Sequence, residues 1–145
     1  MTNIGTRRKA RELALQLLYQ SELNEIPVAE ALLRQCEYFE VVKKAIPYAK
    51  YLAEGVIGHL DEIDGMIREQ ARNWRLERMS LIDRNIIRVA VFELRYPSET
   101  VPATVVINEA IEVAKRFCTD DSGSFINGVL DAVNRARSIE KKDAV

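Results

Sequence analysis

SLIDRNIIRVAVFELR, residues 80–95, decides the fold. Ser80 precedes Asp83 by the spacing of a capping box, with Asp in place of the usual Glu. Ile82, Ile86, Val89, Ala90 and Leu94 then recur at intervals that only a helix places on one face. The same period continues in both directions from this segment, and no stretch alternates as a strand would.

Downstream, Tyr96-Pro97-Ser98 breaks the helix and Pro102 prepares another, whose stripe is Val106, Ala110, Val113, Ala114 and Phe117. Thr119 to Ser124 reads as a loop, and Phe125, Ile126, Val129, Leu130 and Val133 as a final core helix. Residues 140–145 are expected to be a disordered tail, leaving a single domain over 1–139. Upstream, Trp74 is expected to plug the core. A long helix from Tyr48 to about Arg72 carries Leu52, Val56, Leu60, Ile63, Met66, Ile67 and Ala71. Gly55, Gly58 and Gly65 weaken it and mark either close packing or a break. Pro47 marks its start, Phe39 to Ile46 is ambiguous, and Pro27 opens a helix with Val28, Ala31, Leu32 and Cys36. Thr6 reads as the N-cap of a first helix with Ala10, Ala14, Leu17 and Leu18 inward. The expectation is an all-α domain of six or seven helices.

Charge points to function. The chain carries −1 overall, yet Arg7, Arg8, Lys9 and Arg11 precede its first acid. Cations at a helix N-terminus oppose the dipole, so the sequence accepts a local cost there. Guanidinium and ammonium groups beside free backbone N–H groups make a receptor for phosphate, and the stripe behind them makes this a packed element. A small nucleic-acid-binding protein with a local positive site is one reading; a solvated face is the other. Phe117 and Phe125 bracket an acidic turn, and rings beside phosphate-binding cations suit single-stranded RNA, although both rings fit a core equally well.

Other chemistries lack their residues. The single histidine, His59, reads as a packing residue, so no metal centre is expected. Asp61/Glu62 and Asp120/Asp121 are adjacent pairs whose side chains diverge, unlike an acid/base couple. No GxGxxG or Walker loop is present, so neither a cofactor nor catalysis is expected. Cys36 and Cys118 lack CxxC spacing and read as small packed side chains. No apolar run approaches the roughly 20 residues of a membrane span, and the chain is read as cytoplasmic.

The segments RRKARE (7–12), ALQLLY (14–19), DRNIIRVAVFEL (83–94), VINEAIEVAKRF (106–117) and FINGVLD (125–131) together resemble the NusB family of bacterial transcription antitermination factors. The resemblance spans nearly the whole chain and is most specific in the last two segments. It implies two small helical bundles that bind the boxA element of ribosomal RNA leader transcripts together with NusE, a small-subunit ribosomal protein. That pair helps RNA polymerase pass terminators. It places RNA binding on Arg7, Arg8, Lys9, Arg11, Phe117, Asp121 and Phe125, and a NusE face on Tyr19 and Asp83. Ile87 and Phe92 stand where the family commonly has Leu and Tyr. Asp121 would accept from a base or cap the helix near Phe125, while Asn108 and Asn127 read as buried amides at helix ends.

Two further classes stay open. The module also resembles the N-terminal domain of certain RNA cytosine methyltransferases, but no glycine-rich cofactor segment or Pro-Cys nucleophile follows residue 131. A protein-only adaptor would use the basic helix against an acidic partner. An exposed helix face serves a second copy of the chain as readily as NusE, so a homodimer is also open.

Overall fold

The computed structural model describes residues 4–71, 79–96, 101–118 and 120–143, so Trp74 lies outside the described residues. The described elements are α1 (Ile4–Asn24), α2 (Val28–Tyr38), a 3-10 turn (Lys43–Ala45), α3 (Ile46–Gly58), α4 (Leu60–Gln70), α5 (Leu81–Arg95), α6 (Ala103–Phe117) and α7 (Asp120–Asp143). Helices α1 to α3 pack as one group and α4 to α7 as the other. Two helices join them: α1 lies against α5 and α6, and α5 touches α1, α3, α4, α6 and α7.

That central position explains the segment at 80–95. Ser80 Oγ accepts from the Asp83 N–H at 3.0 Å, closing the first turn as the spacing predicts. Every residue from Asn85 to Leu94 is buried. A helix enclosed on all sides buries polar positions too, and Arg88 and Glu93 therefore need partners inside the protein. Around it, Leu17, Leu52, Ile63, Ile67, Ile126 and Leu130 are fully buried, as is its own Ile87. Each such side chain contributes about 1.5–3 kcal/mol relative to exposure.

Several expectations are corrected. The long helix from Tyr48 breaks at His59 (φ −123°, ψ 26°), whose N–H donates to the Gly55 and Val56 carbonyls at 3.1 and 3.3 Å. The glycines divide the two roles between them. A Cβ on Gly55 would lie 2.1 Å from Phe92 Cζ, so Gly55 lets α3 approach α5, whereas Gly58 ends α3. His59 is not a core residue; it is exposed and stacks on Tyr96 with ring centroids 4.2 Å apart. The first helix begins at Ile4, so Thr6 lies inside it and caps nothing. The loop expected at Thr119 to Ser124 is helical from Asp120, and the expected tail is helical through Asp143. Cys36, Asn108 and Asn127 are exposed within helices rather than packed.

Candidate nucleic-acid interface

The basic start of α1 occupies its first turns, and tertiary contacts treat its four cations differently. Arg11 is buried. Its Nε and Nη2 donate to the two carboxylate oxygens of Glu93 on α5 at 2.7 and 2.8 Å, and Nη1 lies 3.6 Å from Glu109. Burial disfavours its charge, but the Glu93 hydrogen bonds and charge outweigh that and raise the guanidinium pKa. Arg8 donates to both oxygens of Glu109 on α6 at 3.2 and 2.6 Å while its side chain stays 44% exposed. The Glu109 hydrogen bond raises its pKa as well. Arg7 places its guanidinium carbon 3.9 Å from the centroid of the Tyr48 ring, and Lys9 lies 3.7 Å from Glu12.

Glu12 is itself buried and takes Arg116 Nη1 at 3.1 Å, which brings the end of α6 beside the start of α1. Lys115 next to it pairs with Glu112 at 3.2 Å. Among the described residues, the cations Arg7, Arg8, Lys9, Arg11, Lys115 and Arg116 outnumber the carboxylates Glu12, Glu93, Glu109 and Glu112. The site is positive, but less so than the sequence of α1 read alone.

Phe117 is half-buried, with the Arg116 guanidinium 5.6 Å from its ring centroid. It borders two adjoining grooves. One, about 250 Å³, runs from Lys9 and Arg116 past Gln16 and Gln35 to Phe39. The other is more apolar and is walled by Leu15, Tyr19, Phe39, Ile82 and Phe117. Lys9, Phe117 and Tyr19 are thus brought to one continuous surface. Asp83 sits beside Ile82, where its Oδ2 accepts from Ser122 Oγ at 3.3 Å. Burial, then hydrogen bonding to Asp83, pushes the Cys118 thiol up to about 12, so it stays protonated and is no nucleophile.

Asp121 and Phe125 stand one turn apart at the start of α7, on one helical face. Asp121 is exposed in the first turn, where the dipole favours an acid, and Phe125 packs partly against the core.

The partners Glu93, Glu109 and Tyr48, and the cation Arg116, were not anticipated. A signal existed for three of the buried ions. Arg11, Glu93 and Glu109 each fall on the apolar stripe of their own helix, where a charge requires an opposite charge from another helix.

A profile described as the NusB family matches residues 8–135. The transcription antitermination protein NusB of Desulfotalea psychrophila is 50% identical over 136 residues, which cover 90% of this chain and 96% of that protein. Among solved structures, T. maritima NusB superposes with a TM-score of 0.76 at 33% identity, covering 89% of this chain and 90% of the other. A chain from the crystal structure of antitermination factors NusB and NusE in complex with dsRNA gives 0.79 at 25% identity, covering 92% and 98%.

Proposed function

The chain belongs to the NusB family, whose members are transcription antitermination proteins and not enzymes, and from that premise we propose that it binds RNA jointly with NusE as an antitermination factor. Its RNA is the single-stranded boxA element of ribosomal RNA leader transcripts, and the assembled complex acts on RNA polymerase. The observation that carries this reading is the continuity of surface from the cations of α1, past Phe117, to the apolar groove at Tyr19. Phosphates meet Arg7, Arg8, Lys9 and Arg116; Phe117 and Phe125 offer rings to unstacked bases; Asp121 accepts from a base amino group. Arg11 belongs to the same site in a different role, because its donors are turned to Glu93 and it holds α1 in place. NusE covers the groove at Tyr19, with Asp83 at its edge. A second copy of the chain would cover the same groove, so a homodimer competes with NusE.

The test is RNA binding by the protein with and without NusE, using a boxA-like oligomer and a scrambled one. Weak binding alone and markedly tighter binding with NusE are expected. If Arg7, Arg8, Lys9 and Arg116 each neutralise a phosphate, log K falls against log salt with a slope of roughly −3. A flat salt response would remove the phosphate role of α1. Equal affinity for the scrambled oligomer would remove sequence reading.

A further inference from the structure

We infer that Tyr48 is a positioning residue of this interface, a fixed ring that carries the Arg7 guanidinium and sets where that cation meets RNA phosphate. The inference rests on the RNA-binding reading above.

Tyr48 lies in the first turn of α3 and ties three helices together. Its hydroxyl donates to Glu93 Oε2 at 3.0 Å, on the carboxylate that also holds Arg11. The Tyr51 ring stacks beside it with centroids 5.8 Å apart and planes 24° from parallel. Gly55, two turns along, admits Phe92 and so brings α3 close to α5. The ring is therefore fixed at its hydroxyl by α5 and at its side by Tyr51.

Onto this ring Arg7 lays its guanidinium at 3.9 Å, well inside the roughly 6 Å over which a ring quadrupole attracts a cation. A long, rotamer-rich side chain loses entropy when it is fixed on binding, and a ring that fixes it beforehand removes that cost from the RNA step. A guanidinium attracted to a ring keeps N–H groups that can donate to phosphate. Arg8 and Arg11 each turn two nitrogens toward a carboxylate of the protein itself.

The experiment is a double-mutant cycle on affinity for the boxA-like oligomer, using the full chain with Tyr48→Leu, Arg7→Ala and both. Tyr48→Leu is expected to weaken binding by roughly 2- to 30-fold, the span of a guanidinium–ring contact, and to do nothing further once Arg7 is Ala. Tyr48→Phe keeps the ring and is expected to bind within about twofold of the parent, although it loses the hydroxyl to Glu93. In the free protein, NMR should show Arg7 side-chain protons shifted upfield by the ring, a shift retained in Tyr48→Phe and lost in Tyr48→Leu. Tyr48→Met replaces Tyr48→Leu if the latter does not fold. Equal weakening with and without Arg7 overturns the inference, because the ring then acts on RNA by itself, and so does an unchanged affinity in Tyr48→Leu. Absence of salt-dependent binding by the parent protein is a different failure: it removes the RNA reading, and this inference with it.

Discussion

Arg11 of α1 and Arg88 of α5 are buried by the same device in two ion clusters, one toward each end of α5, with different consequences. Arg11 is held by Glu93 at 2.7 and 2.8 Å, and Arg88 by Asp64 of α4 at 2.8 and 2.9 Å. At the Arg88 end the charges match. Glu22 of α1 receives Arg88 at 3.2 Å and Arg84 at 3.1 Å, and the Asn85 side-chain oxygen takes Arg88 at 3.1 Å. These ions pair with one another and bind α1, α4 and α5 together. At the Arg11 end, among the described residues, Arg7, Arg8 and Lys9 bring the cations to a larger number than the carboxylates Glu12, Glu93 and Glu109, a surplus that suits an external anion. A buried ion pair is structural in both places; surplus charge beside it is what makes one end a candidate binding site.

The largest expected effect tests whether the two ends are equivalent in stability. Asp64→Ala and Glu93→Ala each remove the bidentate partner of a buried guanidinium and should cost about 3–5 kcal/mol in urea denaturation. RNA affinity, measured where both variants are folded, should fall only for Glu93→Ala. An equal fall in Asp64→Ala would erase the distinction between the ends.

Gly55→Ala sharpens it next. The new methyl meets the buried Phe92 ring, so the ring or α3 must shift at a cost of about 1–3 kcal/mol. Because Tyr48 rides on α3, RNA affinity should drop along with the melting temperature.

A smaller effect separates charge from fold. Arg8→Ala should weaken boxA-like and scrambled RNA by similar factors and reduce the magnitude of the salt slope by about 1. From the sequence, removing a cation at a helix N-terminus should relieve the dipole and raise stability. With Glu109 buried beside it, the expected outcome is a slight loss of stability instead, read as a lower melting temperature. A higher melting temperature would show that the dipole dominates.

The smallest effect concerns the two thiols. At pH 8 iodoacetamide should modify exposed Cys36 and leave Cys118 almost untouched, because a thiol near 12 is roughly 10⁻⁴ thiolate there. Rapid modification of Cys118 would mean that the Asp83, Ser122 and Cys118 contact opens in solution.

The sequence by itself determined most of the helices, most of their inward positions, and the family. Those depend on neighbours along the chain: the Ser80 cap, the stripes of α1, α5 and α6, and the basic run before the first acid. Its errors were also local. Nothing in the period of Tyr48 to Arg72 announces the break at His59, because the apolar spacing continues across it. Nor does composition show that the residues Asp120 to Ser124 begin a helix. The fate of each charge was decided only by tertiary structure. Arg7, Arg8, Lys9 and Arg11 are nearly identical as letters, yet a ring on α3, a carboxylate on α6, a neighbouring acid on α1 and a buried carboxylate on α5 give them four different roles. Helical periodicity is a short-range property, whereas the free energy of a charge depends on the solvent and counter-charges around it, which arrive from distant parts of the chain only on folding.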